Sequence, residues 1–254
     1  MSALRLLANL LLAAVLVCVV GVIILAGWGG VVPRVWEQSG LADGVLGGAW
    51  MWIDGQPIYY RTWGPDDGSP VVLVHSSIAA GMETWRSAAE ILGRAGLRVI
   101  AIDLKGYGHS VRDRSPNYTV REQAILVAKV LNPLQVRQAT VVGHGRGCAI
   151  ALQLALEQPQ FVGRLVLVSP VVYDRAAPLW QRTARLPGVG RAMVWLAASG
   201  GPLWRSSLRQ RFHDASVMSA EDWRRWSQPT HVVGTIDARL AMAARMSGVS
   251  PLFV

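Results

Sequence analysis

The chain is poor in cysteine, in lysine and in acidic side chains, and each shortage narrows what it can be. Its two cysteines, Cys18 and Cys148, stand in different surroundings, one in an apolar N-terminal run and one far downstream. They form no metal-ligand spacing and no disulfide framework, and they leave the redox compartment open. Lysine occurs only at Lys105 and Lys129, so the formal net charge of +9 is almost entirely arginine against 16 acidic residues. No Lys/Arg block, zinc-finger spacing or helix-turn-helix pattern accompanies that charge, which excludes the usual routes to nucleic-acid binding. Two readings of the arginine remain open, an attraction to anionic lipid headgroups and the codon preference of a GC-rich genome.

Charge is missing altogether from Leu6 to Val32, a run of 27 residues. A helix needs roughly 20 apolar residues to cross the hydrocarbon layer, whereas a cleaved signal peptide has an apolar region of roughly 7–15. The expectation is a transmembrane anchor over 6–32, with Trp28 and Trp36 at the interface; the only cleavage-like site is near Ala26-Gly27. Arg5 on one side and Arg34 on the other leave the orientation open. A Gly-rich linker, 33–48, follows, and 49–254 is long enough for one α/β domain with a sizeable core.

Within that domain two β-rich runs flank Asp54-Gly55, a hairpin signal. Strands are expected at Val71–His75, Leu97–Asp103, Ala139–Gly143 and Arg164–Pro170, and helices at Glu83–Ala95, Val120–Leu131 (with Thr119 as N-cap) and Gly147–Glu157. Apolar strands alternating with amphipathic helices predict a mostly parallel sheet covered on both faces. The rhythm breaks at about 171–228, where nine arginines and five tryptophans predict a helical cap insertion. A strand at Pro229–Asp237 and a helix from Ala238 are expected to resume it, and the chain stops on "PLFV".

The most specific local feature is "VVGHGRGCAIALQLALEQP", Val141–Pro159, which reads as strand, sharp glycine turn and helix. Together with "VVLVHSSIAAGMETW", "RVIAIDLKGYGHS" and "PTHVVGTID", it makes the chain from about Trp50 onward resemble the α/β-hydrolase superfamily, most closely its esterase- and lipase-like members with an N-terminal anchor. The resemblance implies an α/β-hydrolase fold, a nucleophile elbow G-x-S-x-G, an acyl or ester ligand and no cofactor. Gly143 and Gly147 fill the small-residue positions of the elbow, and Gly145 stands where the nucleophile should be. The oxyanion-hole donors implied are the amides of Ser77 and Arg146. Where the family usually has His-Gly, this chain has His75-Ser76.

The implied triad acid is Asp237 in "GTID", which could equally cap the following helix; Asp174 is a second candidate. His75, His109 and His144 read as loop-ordering and packing residues. His213 falls in the cap and His231 before Asp237, so a triad histidine is not found, and the domain is expected to stop before its last strand and helix. Ser76, Ser77 and Ser110 lie on loops near the crevice without an elbow to align them. In a well-studied serine hydrolase, loss of nucleophile or base alone costs about a millionfold in turnover. Two functions follow: a membrane-anchored relative of ester and lipid hydrolases with impaired catalysis, or a non-catalytic acyl-ligand-binding or scaffold protein on the same fold. The partners expected are the lipid bilayer and a small acyl ligand.

Overall fold

A tight hairpin opens the sheet. In the computed structural model, which describes residues 3–37, 47–78, 80–113, 118–172, 188–198 and 201–245, β1 (Ala49–Ile53) and β2 (Gln56–Trp63) pair antiparallel around Asp54 and Gly55. Both turn residues have positive φ, 51° and 74°, the geometry whose twist matches that of paired strands. Four more strands follow: β3 (Pro70–Val74), β4 (Arg98–Ile102), β5 (Ala139–His144) and β6 (Val162–Val168). The sheet order is β1-β2-β4-β3-β5-β6. β2 meets β4 antiparallel, while β4, β3, β5 and β6 run parallel, so the sheet is mixed.

Alternation along β3 and β4 sends side chains to two cores. Val72, Val74, Ile100 and Ile102 pack with Val127, Leu131, Ile150 and Leu154 from α3 (Val120–Leu131) and α4 (Gly147–Glu157). Val71, Leu73, Val99 and Ala101 pack on the other face with Met82, Ala89 and Leu92, the last two from α2 (Arg86–Arg94). Each fully buried aliphatic side chain contributes roughly 1.5–3 kcal/mol, which explains why both faces of these strands are apolar. The expected start of α3 is found: Thr119 and Glu122 form a reciprocal capping box. β6 is the outer strand of the described sheet, with Val166, Leu167 and Val168 exposed.

Beyond β6 the described chain is helical: α5 (Val189–Ala198), α6 (Pro202–Arg209), α7 (Ala220–Ser227) and α8 (Thr235–Arg245). Trp204, Leu208 and Trp223 form a small separate core with Ile78, Met218 and Trp226 around it. Three of the cap tryptophans thus serve packing within the cap, and Ile78 ties that core to the loop after β3. The strand expected over Pro229–Asp237 is corrected. Gln228–His231 is a 3-10 turn, and the chain enters α8 at Thr235. The run of β-branched residues there is overruled by local bonding, since the Thr235 hydroxyl donates to the Val232 carbonyl at 2.7 Å and lies buried. The described chain therefore stays helical past residue 228.

α1 is one helix from Ala3 to Trp36. Asn9–Val31 is long and apolar enough to cross a membrane, with a mean hydropathy of 3.1 over its most apolar window. Its C-terminal part lies against α5. Gly29 is buried with no room for a Cβ, which would collide with the Gly188 carbonyl oxygen and come within 2.9 Å of the Ala192 nitrogen. Trp28 and Trp195 meet with ring centroids 6.2 Å apart. Arg191 donates to the Gly29 carbonyl at 3.2 Å and pairs with Asp237.

Candidate functional site

The chain passes from β3 to β4 on one side and then crosses back to β5 on the other. Such a reversal opens a crevice beyond the carboxyl ends of the parallel strands, where ligands bind in open α/β sheets. Three loops meet there: 75–78 after β3, 103–110 after β4 and the turn 144–146 after β5.

The turn after β5 is an elbow in its backbone. Gly145 has φ +55°, a conformation that glycine adopts without penalty and other residues rarely enter. Its amide donates to the Val168 carbonyl at 2.9 Å, and its carbonyl accepts from Cys148 and Val171 at 3.2 and 3.0 Å. Strand and helix approach closely around it. A Cβ on Gly143 would lie 2.7 Å from Cys148 Cα, and one on Gly147 would lie 2.7 Å from the His75 carbonyl oxygen. Both small-residue positions are therefore needed sterically. At Gly145 a Cβ would lie 3.1 Å from Ser76 Cβ and closer still to its Oγ, so the Ser76 hydroxyl is seated over the place from which a nucleophilic side chain would project. Ser76 Oγ makes no hydrogen bond to any described residue.

Ser77 is exposed on the same loop, and Arg146 is the N-cap residue of α4. His144 is partly buried, its ring edge-on to Trp85 at 6.0 Å; burial, and then Arg211, lower its imidazole below the usual range. The loops are fixed by buried polar groups. His75 Nε2 accepts from the Leu104 amide at 3.0 Å, so the ring is the Nδ1–H tautomer, with Nδ1 donating to the Ser76 carbonyl at 2.6 Å. Burial pushes the His75 imidazole below its ordinary range, and a ring held by these two bonds is a positioning group. Asp103, 1% exposed, accepts from the amides of Met82 and His109 at 2.7 and 2.8 Å. Burial raises its carboxyl, but the His109 ring, 3.6 Å away, and the amide bonds outweigh that, and the net shift is downward. Ser110 is buried as well, donating to the Asp103 carbonyl and accepting from the Tyr59 amide at 2.9 Å.

Asp237 sits in the first turn of α8, where it pairs with Arg191 of α5. The strand that would have carried it to the sheet is absent, and the described partner is a cation of the cap. His231 ends the 3-10 turn before α8 and His213 is exposed on the cap. Asp174, most of the linker and the terminal "PLFV" lie outside the described residues. Among the described residues no group of three or more His, Cys, Asp or Glu converges as a metal site would require.

Three residues escaped sequence reasoning. Glu37, one residue past α1, accepts from the amides of Gly234 and Ile236 at 3.0 and 2.9 Å and so caps α8. Arg112 is buried after β4, and Arg239 of α8 lies with its guanidinium carbon 5.7 Å from the Tyr107 ring centre. Nothing in the local sequence distinguishes either arginine from the many on solvated faces.

A mixed sheet with parallel core strands, a glycine elbow between β5 and α4 and a helical cap over the crevice define a class. The chain belongs to the alpha/beta hydrolase fold family, whose pattern it matches over residues 70–226. It is 34% identical over 171 residues to the hydrolase YugF of Bacillus subtilis (strain 168), covering 66% of this chain and 61% of YugF. The chain spans 40% to 61% of the length of the first curated relatives it matches. Among solved structures it is similar to Cfl2 from Burkholderia cenocepacia, with TM-score 0.68 and 20% identity over 79% of this chain and 71% of that one. It is also similar to epoxide hydrolase VrEH1 from Vigna radiata, with TM-score 0.64 and 20% identity over 78% and 72%. These structural likenesses concern the fold.

Proposed function

We propose that this chain is a membrane-anchored member of the α/β-hydrolase fold whose crevice binds an acyl-type ligand and whose elbow supplies no nucleophile. The observation that carries the reading is the Ser76 hydroxyl seated against Gly145. The missing side chain has left no empty socket, because a neighbouring one fills its space. Hydrolysis by an elbow serine is thereby removed, while the loops that shape the crevice keep their buried hydrogen bonds. No described histidine is hydrogen-bonded to Ser76 Oγ, so the described residues offer it no base. The apolar span Asn9–Val31 supports the anchor, and the name of YugF, an uncharacterized hydrolase, supports a crevice suited to a molecule with a hydrolysable bond.

The test uses the full chain in phosphatidylcholine nanodiscs. p-Nitrophenyl butyrate and decanoate measure turnover, and a fluorescent fatty-alcohol analogue measures binding. Saturable binding with ester turnover at the buffer rate is expected. Turnover well above buffer would overturn the non-catalytic part, with its loss in Ser76→Ala marking Ser76 as the nucleophile, and absence of saturable binding would overturn the ligand site. Extraction of the chain from membranes by carbonate would overturn the anchor.

A further inference from the structure

Two guanidinium groups lie beside loop 103–110, Arg112 just after it and Arg239 on α8, and their terminal nitrogens are treated very differently. The terminal nitrogens of Arg112 are engaged by carbonyls: Nη1 donates to Ser110 at 2.9 Å, and Nη2 donates to Gly108 at 2.6 Å and Pro229 at 2.9 Å, while its Nε, like that of Arg239, has no partner among the described residues. Burial, and then the like charge of Arg239, lower its pKa to about 10. Arg239 receives no such treatment. Among the described residues its guanidinium makes no hydrogen bond and no ion pair, and its contact there is the Tyr107 ring at 5.7 Å. Nε is sealed from solvent without a partner, while the two terminal nitrogens are not sealed. Burial pulls the group below the ordinary guanidinium range, with Tyr107 alone opposing.

The described carboxylates nearby, Asp103 and Glu37, which act on Arg112, and Asp237, two residues from Arg239, are committed elsewhere. Asp103 holds the Met82 and His109 amides, Glu37 holds the start of α8, and Asp237 pairs with Arg191. A partly buried cation without a counter-charge is costly in a folded protein, and an arginine fork is suited to bidentate binding of a carboxylate or phosphate. Its position also leads to the elbow. Arg239 lies over Tyr107, Tyr107 meets His75 edge-on at 5.3 Å, and His75 holds the loop that carries Ser76 over Gly145.

We propose that Arg239 is an oxyanion-binding residue that fixes the head of an anionic amphiphile, a carboxylate or a phosphate monoester, with the acyl body directed along the crevice toward Gly145. This rests on the crevice being a ligand site, and it adds the charge of the ligand and the residue that reads it.

The experiment titrates the full chain in phosphatidylcholine nanodiscs with decanoate, decyl phosphate, 1-decanol and inorganic phosphate, followed by calorimetry. Decanoate and decyl phosphate are expected to bind at least tenfold more tightly than decanol. Inorganic phosphate alone is expected to bind far more weakly, which separates an amphiphile from a free oxyanion. Arg239→Gln should lose the preference for anions and keep decanol binding, and Arg239→Lys should retain part of it. Replacing a lone, half-buried charge with a neutral side chain is not expected to unfold the protein, and a thermal melt of each variant checks this. Equal affinity for decanol and decanoate, or an unchanged preference in folded Arg239→Gln, would falsify the assignment while leaving the acyl crevice standing. Failure of all four probes would overturn both. Tight binding of inorganic phosphate that Arg239→Gln abolishes would retain the oxyanion site and overturn the amphiphile.

Discussion

The Ser76 side chain occupies the space that a Cβ on residue 145 would need. The two positions are complementary: the residue that carries a nucleophile in a G-x-S-x-G elbow is glycine here, and a position usually held by glycine has become serine. Each exchange accommodates the other. Restoring a serine at 145 should therefore carry two separate penalties. A non-glycine residue at φ +55° costs about 1–2 kcal/mol, and overpacking against Ser76 costs about 1–3 kcal/mol more. Chemical denaturation should show Gly145→Ser destabilised by about 2–5 kcal/mol. Adding Ser76→Gly should recover the overpacking share. Strictly additive effects of the two substitutions would show that they do not share this space.

His75 predicts an acid weakness within the physiological range. Its folded-state pKa is depressed, so below about 6.5 the unfolded chain binds a proton that the folded chain refuses. Its contribution is complete above that pH and declines as the pH falls toward the folded pKa. The groups that face it are Asp103, which favours the charged form, and His144, which opposes it. Melting temperature should fall between pH 8 and pH 5, and His75→Asn should be less stable at pH 8 but show a shallower fall. A residual slope belongs to His144, whose pKa is also lowered. An identical slope in both proteins would remove His75 from the account.

Much of the fold was legible because physical signals agreed. The apolar runs of β3, β4 and β5, the Asp54-Gly55 turn, the Thr119 capping box and the small residues at 143 and 147 each report a steric or hydrogen-bonding requirement that a sequence displays directly. The segment 229–237 misled because Thr230, Val232, Val233, Thr235 and Ile236 have high β propensity, which tertiary packing overrode. The roles of Arg112, Arg239 and Glu37 were not legible for a different reason. Each is an ordinary charged residue locally, and its meaning arises from neighbours more than 100 residues away, as in the Arg112 bond to the Pro229 carbonyl and the Glu37 bonds to α8.

Asp103 should prove a stability residue for the crevice loops. Asp103→Ala would strand the buried amides of Met82 and His109, each costing about 1–3 kcal/mol. Asp103→Asn keeps one acceptor oxygen and should cost less. The folded-state pKa of Asp103 is lowered, so its contribution is present above the unfolded value near 3.8 and is lost as pH falls through the folded one. Hydrogen exchange should quicken first in loop 103–110 and in the 3-10 turn Gly81–Trp85 that it holds. Faster exchange confined to the cap would place the role of Asp103 elsewhere.

α1 and the cap should move as one unit. α1 touches α5 at Gly29, where the backbones meet without room for a side chain, and Glu37 reaches over to cap α8. Gly29→Leu forces the two helices apart and should cost about 1–3 kcal/mol at this junction, whereas Glu37→Ala uncaps α8 at about 0.5–2 kcal/mol. Because both act on the cap, exchange protection in α5 and α8 should drop in each variant while α3 and α4, packed on the sheet, keep theirs. A cap that owes part of its order to α1 loosens when the contact is broken, and the sheet core does not depend on it. Unchanged α5 protection in Gly29→Leu would mean that the cap stands on its tryptophan core alone and that α1 merely rests against it.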